Sequence, residues 1–214
     1  AKLQTQNKTM MIRRSSSVTR QVSKRFQSTT SNIQKRSLYE APQPKMNIFD
    51  RKVHLIHKEN NLKYGSEYDY IRHEMAESIL ERLQIVSRTF PNVAEIGCGK
   101  SHVLPKLIHY QQNATENDWA DLGVENYILC DNSQKMLDCA QTVFEGSKIN
   151  VKKMHFDEEK EVPLEPGSLD LIIGGSYLHW INNLPGALAE MRKALRPDGL
   201  FVGAMLGGDT LQEL

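Results

Sequence analysis

The chain has 214 residues, 39% of them hydrophobic and 25% charged, with a formal net charge of +1. That composition fits one globular domain with an extension and leaves no run near the ~20 apolar residues a membrane-spanning helix needs. The small net charge hides an asymmetry: nine cations precede Glu40, the first acidic residue, so 18 of the 27 basic side chains remain against all 26 acidic ones. An acidic body of this kind argues against a nucleic-acid footprint.

Residues 1–39 carry Arg, Ser and Thr without a single carboxylate, and Val18, Val22 and Phe26 recur every fourth position among the cations. These are the marks of a disordered mitochondrial transit peptide. Residues 40–90 are expected to form a linker (APQPK, 41–45) and an amino-terminal lid helix that carries Arg51 and Tyr70. Its regular part lies near 68–84, with Ile71, Met75, Ile79 and Leu83 on one stripe and Ser66 as cap. Residues 91–214 then alternate strand and helix. NVAEI reads as a strand, HVLPKLIHY as a helix with Pro105 in its first turn, YILCD as a strand, and SQKMLDCAQTVF as a helix beginning near Ser133. VKKMHFD and SLDLIIGGS follow as strands, the second apolar on both faces. Asn183 and Pro185 open a helix with Leu184, Leu188, Met191 and Leu195 on one side, which Pro197-Asp198-Gly199 ends, and 200–205 form a fifth strand. The alternation predicts an α/β fold with right-handed crossovers and a parallel sheet. Cys98, Cys130 and Cys139 are too few and too irregular for a disulfide framework, which suits a reducing compartment.

The stretch AEIGCGKS, 94–101, carries the chemistry. As a triphosphate loop it fails: Pro91 and Asn92 interrupt the strand that should feed it, and Glu95 would set a negative charge among phosphate-binding amides. As a dinucleotide turn it has His102 where a third glycine should pack helix on strand. As a bend for an adenosyl amino acid every residue has a task. Gly97 and Gly99 let the backbone pass under the ligand, and Glu95 favours the cationic sulfonium of S-adenosylmethionine. Asp131, ending the second strand, is placed for both ribose hydroxyls, and Asp157, with Glu158 beside it, for the adenine amino group. Helix capping by Asp131 and a solvated run at Asp157-Glu158-Glu159 are the structural alternatives.

Glu95-Ile-Gly-Cys-Gly, Asp131-Asn-Ser-Gln-Lys-Met-Leu, Leu169-Asp-Leu-Ile-Ile and Leu195-Arg-Pro-Asp-Gly-Leu-Phe resemble the ordered motifs of class I S-adenosylmethionine-dependent methyltransferases. MNIFDR (46–51), LHWINNLPGAL (178–188) and GAMLGGDTLQEL (203–214) further resemble the mitochondrial complex I assembly factor 5 family, related to bacterial malonyl-carrier-protein methyltransferases. The resemblance implies a Rossmann-like methyltransferase sheet and a protein at the matrix face of the inner membrane. Its partner would be an iron–sulfur subunit of respiratory complex I, or an assembly intermediate, of which it hydroxylates an arginine. Carrier-protein or small-molecule O-methylation and a non-catalytic assembly role are the alternatives. The family's sheet continues beyond its fifth strand, so this domain is expected to be carboxy-terminally incomplete, and Ser101 stands where the family has its third glycine. His179 and Trp180, after the fourth strand, are the candidates for the reacting site. No metal is expected: His155, Asp157 and His179 could form a two-histidine, one-carboxylate set only by taking Asp157 from adenine.

Overall fold

A computed structural model describes residues 47–64, 69–113, 122–160 and 162–208. The transit-peptide expectation for 1–39 and the Ser66 cap lie outside the described residues.

Five parallel strands form one sheet in the order β3-β2-β1-β4-β5: β1 (Asn92–Ile96), β2 (Asn126–Asp131), β3 (Asn150–His155), β4 (Leu169–Gly174) and β5 (Leu195–Gly203). Among the described residues five α-helices accompany them, α1 (Arg51–Asn60), α2 (Tyr70–Gln84), α3 (Val103–Asn113), α4 (Gln134–Cys139) and α5 (Leu184–Ala194), together with a one-turn 3₁₀ helix at Leu178–Trp180. A further 3₁₀ turn, Asn61–Tyr64, extends α1. The order reverses at β1, which pairs with β2 on one side and β4 on the other. Open α/β sheets bind ligands at such a switch point, beyond the carboxyl ends of the strands.

Alternation along β1 splits the core. Val93 joins Leu80 and Leu83 of α2, Leu104 and Leu107 of α3, and Tyr127 and Leu129 of β2 on one face. Ala94 and Ile96 face Ala187, Met191 and Ala194 of α5 with Tyr177 and Leu178. Glu95 therefore lies on the α2–α3 side, and its carboxylate is carried into the core by the pleat.

Several boundaries differ from expectation for local reasons. Arg51 and Tyr70 belong to two separate helices, not one lid helix. The helix begun at Ser133 stops at Cys139, because Ala140 is already extended (ψ 132°) and Val143 lies in solvent. Helix α5 turns Ala187, not Leu188, toward the sheet, which lets it pack closely. It ends at Ala194: Leu195 pairs with Leu169, and Pro197-Asp198-Gly199 form a bulge inside β5, with Asp198 left-handed (φ 69°), before Leu200 pairs with Leu171. At the other end of the sheet, Asp170 accepts hydrogen bonds from the Asn92 amide (2.9 Å) and from Arg196 (2.8 Å).

Candidate functional site

The turn after β1 is built by three residues with positive φ: Gly97 (66°), Gly99 (58°) and Ser101 (58°). The two glycines are needed for different reasons. A Cβ on Gly97 would lie 2.2 Å from Cγ of Tyr177, so the backbone there packs directly against the protein's own tyrosine. Gly99 has no neighbour within 4 Å of that position. Ser101 tolerates a conformation that disfavours side chains because its hydroxyl works twice. It donates to Glu95 Oε2 (2.7 Å) and accepts from the amide of Leu104 (3.3 Å), capping the first turn of α3.

Glu95 is 2% exposed, and Tyr127 donates a second hydroxyl to the same Oε2 at 2.8 Å. Burial raises its pKa to about 7; the two hydroxyl bonds oppose the rise and Asp131 adds to it. Tyr127, reached from β2, was not legible as its partner.

Asp131 ends β2, fully buried. Its Oδ1 accepts from the Ser133 amide (2.8 Å) and its Oδ2 from the Gly99 amide (2.7 Å), so this acid ties the glycine turn to the second strand. Lys58 of α1 places its ammonium 2.7 Å from both oxygens. The helix cap expected as the bland role falls to Ser133, whose hydroxyl accepts from the Met136 amide. Asp157 lies two residues beyond β3, not at its end. The acidic run there is no solvated face: Arg51 donates to Asp157 Oδ1 (3.1 Å) and Glu158 Oε1 (2.7 Å) and sits 3.8 Å from Glu159, and Glu158 is 4% exposed. Burial works against the Arg51 charge, yet Glu158, Asp157 and Glu159 hold its pKa above the ordinary value.

A cavity of about 650 Å³ opens beside this arrangement between α1, α2 and the glycine turn. Glu95, Gly97 and Gly99 line it; Asp131, Asp157 and Glu158 lie under α1, outside its wall. Its far side holds Asp69, 4% exposed, bound by Arg72 (2.7 Å) and Lys100 (2.8 Å). Burial opposes ionisation of Asp69, but Lys100, His102 and Arg72 keep its pKa low. Burial and the neighbouring cations bring His102 down to about 4 despite Asp69, and burial with Lys58 and Arg51 does the same to His54, so both imidazoles are neutral at pH 7.

Trp180 reaches the cavity wall, stacked on His54 (ring centroids 4.3 Å) and edge-on to Phe49 (5.4 Å). His179 stands behind it, not on the wall, with its pKa lowered by burial. The Nδ1 atoms of His54 and His179 are buried without a hydrogen-bond partner. Among the described residues no three His, Cys, Asp or Glu side chains come close enough to hold a metal ion, so His155, Asp157 and His179 are not gathered. Instead His155 is exposed and contacts the Asn132 carbonyl at 3.1 Å.

Residues 94–203, just over half of the chain, match the methyltransferase domain family. The chain belongs to that family. It is 37% identical to the arginine-hydroxylase NDUFAF5, mitochondrial, of Danio rerio over 79% of this chain and 48% of that protein. To its Homo sapiens counterpart it is 30% identical, over 79% and 45%. A malonyl-[acyl-carrier protein] O-methyltransferase of Methylovorus sp. is 29% identical over 67% of this chain and 46% of its own. The methyltransferase-domain chain thus spans about half the length of the curated relatives it matches. In fold it resembles a chain of the complex between the Haloferax volcanii Trm112 methyltransferase activator and a methyltransferase, with a TM-score of 0.52 and 16% identity over 69% of this chain and 57% of that one.

Proposed function

We propose that this protein binds S-adenosylmethionine and acts in the mitochondrial matrix during respiratory complex I assembly, hydroxylating an arginine of an iron–sulfur subunit. One observation carries the cofactor part: the turn after β1 puts Gly97, Gly99 and Glu95 on one cavity, while the Gly99 amide binds the acid that ends β2. That is the disposition a cationic amino acid joined to a nucleoside requires. The donor set fits the ligand at each end. Glu95 faces the sulfonium side, and Lys100 and Arg72, now paired with Asp69, are the cations for the carboxylate. Asp131 and Asp157 become acceptors for ribose and adenine once Lys58 and Arg51 leave them. When bound, the cofactor would supply an activated sulfonium, which donates methyl and not oxygen, so the hydroxyl oxygen and its two oxidising equivalents would come from a co-reactant of the dioxygen class; this chain's residues would hold and orient the cofactor.

The arginine part rests on the relatives' name, supported by the wall beside Trp180. An aromatic face and the neutral, unpartnered imidazole of His54 suit a guanidinium better than a carboxylate would be suited there. Residues 1–39 as a transit peptide, 40–90 as linker and lid, and 91–214 as the cofactor domain complete the proposal.

Calorimetry with S-adenosylmethionine tests the cofactor, and Asp131→Ala is expected to abolish the binding heat in a protein that still melts cooperatively. Mass spectrometry of the complex I iron–sulfur subunits from cells with and without the protein tests the reaction. A gain of one oxygen on an arginine supports hydroxylation, a gain of one methylene supports methyl transfer, and an unchanged arginine with failed assembly leaves a binding role only.

A further inference from the structure

Helix α1 has no buried residue, and beside the stacking of His54 on Trp180 a row of charged contacts holds it over the carboxyl edge of the sheet. Arg51 and Lys58, seven residues apart, project from one face. Lys58 takes Asp131, Arg51 takes Asp157 and Glu158, and between Lys58 and the helix end Glu59 accepts from Ser133 (2.9 Å) and pairs with Lys135 (2.6 Å). A carboxylate offers about four lone-pair positions. On Asp131 all four are used: two by Lys58, one by the Ser133 amide and one by the Gly99 amide. The two amides belong to the rigid turn and to the start of α4, so only the Lys58 contacts can be released without unfolding the site. A ribose diol has nowhere to donate while Lys58 is present. The Arg51 clamp is also imperfect, since its buried Nε has no hydrogen-bond partner.

We propose that α1 is a built-in competitor for the nucleoside half of the site. Lys58 and Arg51 neutralise the acids in the free protein, and the cofactor evicts them as it binds. This rests on the cofactor reading above. Affinity is then set partly by how firmly the protein holds its own helix, which makes any partner that draws α1 away an activator of cofactor binding.

Calorimetric titration of the full chain with S-adenosylmethionine decides the matter. In Lys58→Met the free protein loses the counter-ion of Asp131, so its melting temperature falls, while the cofactor no longer competes and binds about tenfold more tightly. Arg51→Gln is expected to tighten binding in the same direction. A purely structural lysine, or one that touches the ligand, gives equal or weaker binding in Lys58→Met, and that result overturns the proposal. Should Lys58→Met fail to fold, Glu59→Ala loosens the same helix without touching either acid. It is expected to tighten binding about twofold to threefold, and unchanged or weaker binding there refutes the competition. Heat in the wild type with unimproved variants sinks the competitor alone; no heat in any of them sinks the cofactor reading, and the competitor falls with it.

Discussion

Replacing Glu95 by Gln isolates the cost of placing a carboxylate inside the core. The side chain is buried, its Oε2 receives the Ser101 and Tyr127 hydroxyls, and its pKa stands at about 7 against an ordinary 4.5. The sign follows from proton uptake. Between pH 4.5 and 7 the folded protein holds a proton that the unfolded chain has released, so stability falls as pH rises through that window and levels off above it. At ~1.4 kcal/mol per unit, a displacement of about 2.5 units amounts to roughly 3 kcal/mol lost between pH 4 and pH 8. Gln keeps an oxygen for both hydroxyls and carries no charge, so this component of the pH dependence should vanish and the variant should be the more stable protein at pH 8. Urea unfolding at half-unit steps from pH 4.5 to 8, comparing midpoints at constant slope, measures the difference. Parallel pH profiles for wild type and Glu95→Gln would refute the assignment of a buried, neutralised carboxyl at this position.

Tyr127→Phe removes one of the bonds that favour the ionised carboxylate, so the same transition should move to higher pH, and a downward move would contradict the hydrogen bond to Oε2. Gly97→Ala forces a methyl into the Tyr177 ring at a left-handed position and should cost about 3 kcal/mol, read as a lower urea midpoint; a change below about 1 kcal/mol would show that Tyr177 can move aside. Asp170→Ala strips the partner from Arg196 and from the Asn92 amide at the end of the sheet away from the cavity. It should destabilise by roughly 3 kcal/mol while leaving the affinity for S-adenosylmethionine in the folded protein unchanged, as calorimetry would show. S-adenosylmethionine affinity should rise with pH through about 7 in the wild type, because an ionised Glu95 favours the cation, and be flat over that range in Glu95→Gln.

The parts of this fold that depend on apolar spacing were readable from the chain. Strand NVAEI, Pro105 in the first turn of α3 and the Asn183 cap sit where expected, because each is decided by near neighbours, whereas the buried face of α2 runs through Ala76, Ile79, Leu80 and Leu83 and leaves Ile71 of the expected stripe exposed. What escaped was held by charge. RKVHLIHKEN has no apolar stripe to announce a docked helix, and its inward face of Arg51 and Lys58 reads in isolation as solvated lysine and arginine. Asp69, Arg72 and Lys100 meet across 31 residues of chain, and no local pattern encodes that meeting. The sequence expects Gly97 to let the backbone pass under a ligand; its contact with Tyr177, 80 residues away, is one that no local pattern announces. His179 and Trp180, adjacent in sequence, part company in space: one ring reaches the cavity and the other stands behind it.

Ser101 has a consequence for how a ligand meets the turn. A glycine there would reach the left-handed conformation at no steric cost but would also wander through many others in the unfolded chain. The serine accepts a local penalty and is pinned by a carboxyl behind it and a helix amide ahead of it. The floor of the cavity is consequently cast before anything arrives: an incoming molecule spends its interaction energy on displacing side chains above the floor, not on setting the backbone beneath it.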